Sequence, residues 1–157
     1  VWIIRSARIK DAETLTNLAA ESESYWGYDE EFMEIYKIIY SITPDNISDN
    51  PTYVIEDEED IIGFYNVIQE GYLGYLEYFY IKPEYMRKGF GRIMWDNMVD
   101  VCENLGILEI ELVTSSQAKD FYIKMGAVVV KEVESQIDNR KIPKIRYKIK
   151  RKCRGTF

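Results

Sequence analysis

The sequence predicts a single α/β (α+β) domain in which helices cover both faces of a mixed sheet. Three observations point there. Strand-like and helix-like segments follow one another in the order β-α-α-β-β-β-α-β-α-β-β, which calls for layers of helix on sheet. The 157 residues, 46% hydrophobic and 14% aromatic, suffice for one packed core. The stretch from Tyr78 to Leu105 passes from strand to basic glycine loop to amphipathic helix, and the rest of the chain is arranged around it.

Trp2 to Arg8 alternates as a first strand. Asp11 is placed to cap a helix whose apolar face is Leu15, Leu18 and Ala19 and which ends near Ser22. Asp29 caps a second helix with the stripe Phe32, Ile35, Tyr36 and Ile39. Thr43-Pro44-Asp45-Asn46 and Asn50-Pro51 are turn chemistry. Thr52 to Glu56 and Ile61 to Gln69 form a hairpin across the acidic turn from Asp57 to Asp60, and Gly71 and Gly74 mark the next turn.

Tyr78 to Ile81 is a strand that Lys82-Pro83 stops, because proline cannot donate to a ladder. Beyond Gly89 and Gly91, the residues Met94, Met98, Val101, Cys102 and Leu105 recur at helical spacing, and Gly106 closes the helix. Leu108, Ile110 and Leu112 alternate with Glu109 and Glu111 as a half-buried strand. Ser115 or Ser116 caps a short helix from about 117 to 125. Ala127 to Val133 and the segment through Ile149 are the last strands, and 151–157 is a basic tail.

The loop between strand and helix carries the chemistry. A helix N-terminus presents unpaired N–H groups and partial positive charge. Glycine lets a ligand approach the backbone, and Arg87, Lys88 and Arg92 add formal charge. Together these make a cradle for a di- or polyphosphate. An ordinary strand-to-helix turn with solvated basic residues fits the same letters. Two better-known phosphate loops do not. A Walker loop needs Ser or Thr after Gly-Lys, and here Gly89 precedes Phe90. The dinucleotide fingerprint needs a third glycine where Met94 stands.

Composition removes other classes. Without histidine, neither His-based catalysis nor His metal ligation is available. Cys102 and Cys153 lie far apart, so no disulfide framework or zinc site is expected and the protein reads as reduced and intracellular. A net charge of −7 argues against general nucleic-acid binding and suits a cationic acceptor. No apolar run approaches the roughly 20 residues of a membrane helix, and no secretory signal is seen. The expected compartment is the cytoplasm.

With Arg87-Lys88-Gly89-Phe90-Gly91 between strand and helix, the chain resembles the GNAT superfamily of acyl-CoA-dependent N-acyltransferases, whose signature is Gln/Arg-x-x-Gly-x-Gly/Ala. Met86 stands at the first position and departs from it. The opening Ile4-Arg5-Ser6-Ala7-Arg8-Ile9-Lys10-Asp11 and the block Gln117-Ala118 through Phe121-Tyr122 to Gly126-Ala127 are similar to two further family blocks, so the resemblance spans nearly the whole chain. It implies a mostly antiparallel mixed sheet, acetyl-CoA or coenzyme A as co-substrate, and N-acetyltransferase activity on a primary amine.

The resemblance also implies roles. Pantetheine would bond the backbone of Phe79 and Ile81, with Tyr80 between them facing the other way. The diphosphate would meet the segment Met86, Arg87, Lys88, Gly89, Phe90, Gly91 and Arg92. Tyr122 would protonate the leaving thiolate, and Ser115 would contact the cofactor. Glu77 lies near the family's usual base position, with Tyr75 on its face and Glu109 and Glu111 as further candidates; water relays can also serve. Tyr25, Trp26 and Tyr28 would line the acceptor pocket, where rings can hold a cation. The acceptor is expected to be a small-molecule amine rather than a nucleic acid or a membrane, with a homodimer compatible with the fold. The rivals are a non-catalytic acyl-CoA-binding module of the same fold and an unrelated phosphate- or nucleotide-binding protein.

Overall fold

The computed structural model describes residues 1–150, and the basic tail at 151–157 lies outside them. The elements are β1 (Trp2–Ser6), α1 (Ala12–Ser24), α2 (Glu30–Ile39), α3 (Pro44–Asp49), β2 (Thr52–Asp57), β3 (Asp60–Glu70), β4 (Leu73–Ile81), α4 (Phe90–Asn104), β5 (Glu109–Val113), α5 (Lys119–Lys124), β6 (Val128–Glu134) and β7 (Lys141–Lys148).

Helix α3 stands where the sequence predicts only turns. Thr43 Oγ1 accepts from the Asn46 N–H at 3.2 Å, and Asn46 Oδ1 accepts from the Thr43 N–H at 2.9 Å. That reciprocal cap, with Pro44 at the first helical position, turns four turn-forming residues into a helix start. Asp11 does not cap α1 through its side chain. Its Oδ2 takes the Arg8 N–H at 2.8 Å and Arg5 Nη1 at 3.0 Å, which closes a single 3₁₀ turn from Ile9 to Asp11 instead. Gly74 belongs to β4, which starts at Leu73.

The sheet has the order β1-β2-β3-β4-β5-β7-β6. Neighbours are antiparallel except β4 and β5, which run parallel. On one face α4 buries Met94, Met98 and Cys102 against Tyr65, Ile110 and Ile145. On the other, α1 and α2 bury Leu15, Leu18, Ala19 and Tyr36 against Val54, Phe64 and Tyr78. Each such fully buried side chain contributes roughly 1.5–3 kcal/mol. Cys102 is part of that packing, and burial pushes its thiol up to about 12. Leu105, predicted on the same stripe, is 44% exposed because it ends the helix.

Two irregularities in β4 set up the site. It pairs with β5 only from Leu73 to Tyr75 opposite Glu109 to Glu111. Both strands continue beyond that ladder, β4 to Ile81 and β5 to Val113, so they part and leave a gap. The register against β3 also shifts, from Val67↔Leu76 to Asn66↔Tyr78, so Glu77 is an extra residue with no β3 partner. A bulge of this kind bends a strand and re-aims its side chains.

Candidate active site

The gap between β4 and β5 opens into a cleft of about 1090 Å³. One end is floored by the loop before α4, and the other lies under α1 and α2. Phe79, Leu112 and Tyr122 line it between the two ends.

The first feature is a free backbone edge. The Lys82 N–H donates to the Ile62 carbonyl at 2.7 Å. In an antiparallel ladder bonding alternates residue by residue, so Tyr78 and Tyr80 bond toward β3 while the N–H and C=O groups of Phe79 and Ile81 point away from it, into the gap. Ser22 Oγ, from the end of α1, donates to the Ile81 carbonyl at 3.0 Å from that side. An extended ligand with its own amides can add to such an edge as a short strand.

The second feature is the loop into α4. Arg87 has φ of +60° and Gly89 φ of +89°, so the chain turns twice through the left-handed region before the helix begins. A Cβ at Gly89 would meet no atom within 4 Å, so the glycine serves its conformation and leaves its face open. Gly91 is different: a Cβ there would sit 2.9 Å from Phe121 Cε1, so this glycine also lets α4 pack closely on α5. The first helical bond runs from the Ile93 N–H to the Gly89 carbonyl at 3.2 Å. The N–H groups of Gly89 to Arg92 are therefore free of intrahelical acceptors, as at any helix start.

Arg87, Arg92 and Met86 line the same end of the cleft. Lys88 and Phe90, expected in the cradle, are not on its wall. Lys88 Nζ lies 5.6 Å from the centroid of Tyr85, and the Phe90 ring packs edge-on against Tyr85 and Trp2. Their backbones still belong to the loop. Free amides, an open glycine face and two arginines fit a diphosphate.

Tyr122 on α5 packs its ring against Phe79 and Trp95, with centroids 6.0 and 5.9 Å away. Burial, and then the charge of Glu23, raise its hydroxyl well above the usual tyrosine value, with a hydrogen bond to Thr114 opposing them. It is a protonated donor at neutral pH. Ser115 Oγ accepts the Ala118 N–H at 3.2 Å, which caps the turn into α5, and the residue also lines the cleft.

The end under α1 and α2 is built from side chains. Glu77 lines it and, among the described residues, makes no hydrogen bond or ion pair; burial alone raises its carboxyl. Its charge acts on Tyr40 and Tyr78, and also on Tyr75, which burial first and then that charge push up to about 12. Glu109 and Glu111, the other carboxylates considered as bases, are engaged. Arg146 bonds Glu111 at 2.7 Å and Glu109 at 3.2 Å, and Lys144 pairs with Glu111 at 3.2 Å. These pairs tie β5 to β7 and hold Glu111 below the usual carboxylate range, with the Arg146 hydrogen bond the largest cause.

Glu23 was missed in the sequence, where α1 ends near Ser22; the helix runs on to Ser24 and carries Glu23 into the cleft. The Tyr36 hydroxyl donates to the Tyr80 hydroxyl at 2.8 Å, and that hydroxyl donates to Glu23 Oε2 at 3.1 Å. Tyr80, expected between the cofactor contacts and facing the other way, turns its side chain toward α1 and α2. Burial raises the Glu23 carboxyl, and the Tyr80 bond opposes part of that. Tyr25, Trp26 and Tyr28 line the cleft. Tyr28 stacks on Phe32 at 3.9 Å and has the Arg140 guanidinium 4.9 Å from its centroid, so the cation it engages is the chain's own. Its hydroxyl reaches Gln117 Oε1 at 3.4 Å, across the cleft.

A free strand edge beside a loop that suits a diphosphate, with a protonated tyrosine between the edge and an acidic end, is an arrangement suited to moving an acyl group from a coenzyme A thioester. The chain belongs to the Acetyltransferase (GNAT) family, which it matches over residues 13–127. It is an N-acetyltransferase with acetyl-CoA as co-substrate.

Among solved structures it resembles the PaiA N-acetyltransferase from Thermoplasma acidophilum, a coenzyme A complex. The TM-score is 0.80 at 23% identity, over 94% of this chain and 99% of that one. It also resembles the ribosomal-protein-S18-alanine N-acetyltransferase from Escherichia coli, with a TM-score of 0.73 at 11% identity over 100% and 99% of the two chains. The N-acetylglutamate synthase from Neisseria gonorrhoeae, complexed with coenzyme A and N-acetyl-glutamate, gives 0.69 at 14% identity over 96% of this chain and 36% of that one. At these identities the likeness is one of fold. No curated protein matches the sequence.

Proposed function

We propose that the protein acetylates the primary amine of a small molecule, by direct attack in a ternary complex. The observation that carries the small acceptor is the bridge over the acceptor end. Arg140, from the loop between β6 and β7, lies on Tyr28 and Phe32, and Tyr28 reaches Gln117 before α5. Three segments distant in sequence meet there, which favours a bounded pocket over an open groove for a folded protein. Cys102, the cysteine among the described residues, is in the core and outside the cleft, which supports direct transfer without a thiol intermediate on the enzyme.

Acetyl-CoA supplies the thioester carbonyl. In this reading the Phe79 and Ile81 edge and the amides from Gly89 to Arg92 position it, with Arg87 and Arg92 at the diphosphate. As the amine's C–N bond forms and the C–S bond breaks, Tyr122 gives its proton to the departing sulfur. Glu77, the desolvated carboxylate at the bulge, takes the proton leaving the amine, through a water. We take the cytoplasm as its compartment; among the described residues no helix is long and apolar enough to cross a membrane.

The test is a panel of small amines and peptides, read by thiol release and by the mass of the product. Small primary amines are expected to gain one acetyl group, with intersecting initial-rate lines for the two substrates. Glu77→Gln is expected to lower kcat by about tenfold to a thousandfold, as general bases do, less where water substitutes. Acetylation of peptides alone, or parallel rate lines, would overturn the reading.

A further inference from the structure

Glu77 has a task in that chemistry, whereas Glu23, another of the carboxylates that line the cleft, has none. Glu23 is not a solvated surface acid. It sits in the last turn of α1, and its neighbour Ser22 pins that turn to the Ile81 carbonyl on the open edge of β4 at 3.0 Å. One of its oxygens, Oε2, is held by the Tyr80 hydroxyl, which the Tyr36 hydroxyl holds in turn. Those two bonds fix the orientation of the carboxylate. Its other oxygen, Oε1, has no donor among the described residues, and no Lys or Arg among them pairs with the group. Arg140, a cation on the acceptor wall, is bound to Asp138 at 2.8 Å. Glu23 is therefore an oriented, partly desolvated anion with one open acceptor atom and no protein cation.

It also lines the same cleft as Tyr122. The Glu23 charge acts on Tyr122, the residue facing the thioester sulfur, as well as on Tyr36 and Tyr40. The charge of Glu77 acts on Tyr40, Tyr75 and Tyr78 instead. Of these two carboxylates, Glu23 is the one whose charge reaches Tyr122.

We propose that Glu23 is the residue that binds the acceptor, as an ammonium ion, next to the thioester. The inference rests on the acetyltransferase reading and adds the chemical class that the acceptor end selects: aliphatic amines with no anionic group beside the reacting nitrogen. Glu23 Oε1 receives the ammonium and the tyrosine rings receive the alkyl portion; Glu77 takes one proton through water so that the neutral amine can attack, and the second, released as the C–N bond forms, replaces through water the proton that Tyr122 gives to the sulfur. An α-amino acid would bring its own carboxylate against Glu23, and like charges at that range repel. Glu23 is then a specificity-determining residue, and Tyr80 and Tyr36 are the positioning residues behind it.

The test is calorimetry on the protein saturated with coenzyme A. Binding of the coenzyme is measured first, so that a failure of the cofactor reading shows separately. The probes are n-butylamine and norvaline, which is the same amine carrying an α-carboxylate. Wild type is expected to bind butylamine at least tenfold more tightly than norvaline. Glu23→Gln keeps the shape and the Tyr80 bond but removes the charge. It is expected to weaken butylamine binding roughly tenfold to a hundredfold, the range of a charge-assisted hydrogen bond, and to narrow the gap to norvaline. In turnover the same variant should raise KM for the amine more than it lowers kcat, whereas Glu77→Gln does the reverse.

Should Glu23→Gln fail to fold, Tyr80→Phe frees the carboxylate from its holder and is expected to weaken butylamine several-fold. The wild-type comparison of the two probes needs no variant. Coenzyme A binding with no preference for butylamine over norvaline would overturn the proposal, as would unchanged amine binding in Glu23→Gln.

Discussion

The two ends of the cleft are made of different material. The end we propose for the donor is mainly backbone: the edge at Phe79 and Ile81, the amides that open α4, and the left-handed turns at Arg87 and Gly89. The acceptor end is side chains, namely Glu23 from α1, Tyr36 and Tyr40 from α2, Glu77 and Tyr80 from β4, and Tyr28 bridged to Arg140. A ligand held by main chain tolerates wide change in the residues around it. A ligand held by side chains from five segments does not. In the proposed reading, the backbone end serves the step common to all acceptors and the side-chain end chooses among them.

The sharpest way to break that division is at its seam. Tyr122→Phe keeps the packing on Phe79 and Trp95 and removes the proton. It is expected to lower kcat by about 10²–10⁴-fold and leave the KM for acetyl-CoA nearly unchanged, since the bond matters when sulfur leaves. Steady-state thiol release reads this, and a wild-type kcat would remove Tyr122 from the chemistry.

Next in size is the donor end. Gly89→Asp places a carboxylate in the open face of the loop and strains a residue at φ +89°. The thermal shift on adding coenzyme A should disappear, while the unliganded stability falls by only the cost of the strain, about 1 kcal/mol. Gly91→Asp should do more harm to the fold itself, because its Cβ meets Phe121 at 2.9 Å. Equal unliganded stability in the two variants would contradict the separate tasks given to the glycines.

The smallest effect is expected outside the cleft. Glu111→Gln removes a carboxylate paired with Arg146 and Lys144. Its folded pKa is depressed, so its contribution is present above the unfolded value and is lost as pH falls through the folded one. At neutral pH the variant should lose about 1–3 kcal/mol, the part of the wild-type acid sensitivity due to Glu111 should vanish, and kcat should hold. Denaturant titrations at neutral and acid pH check this; a large fall in kcat would return Glu111 to the list of bases.

The same contrast explains what the sequence disclosed. The backbone end of the cleft was legible because turns and glycine loops leave local marks. Gly89 and Gly91 before an amphipathic stripe and Lys82-Pro83 after a strand are neighbours in the chain. Tyr122 was legible only through its block from Gln117 to Ala127. Lys88 shows the limit, since its letter suggested the cradle while its side chain lies on Tyr85. Glu23 was invisible because a helix end two residues further on decides whether it faces the cleft, and its partners Tyr36 and Tyr80 are 13 and 57 residues away. Tyr36 read as part of an apolar stripe, and it is indeed buried, but its hydroxyl serves the site. The bulge at Glu77 follows from a register shift between strands, which no single strand records.

The central claim is that β4 offers the open half of its backbone to the donor. Residue-resolved amide hydrogen exchange, with and without acetyl-CoA, tests it directly. Tyr78 and Tyr80 bond to β3 and should exchange slowly in both states. Phe79 and Ile81 should exchange faster in the free protein and slow by roughly tenfold or more on binding, together with Gly89 to Arg92. Protection confined to the loop, with Phe79 and Ile81 unchanged at saturating acetyl-CoA, would contradict the account.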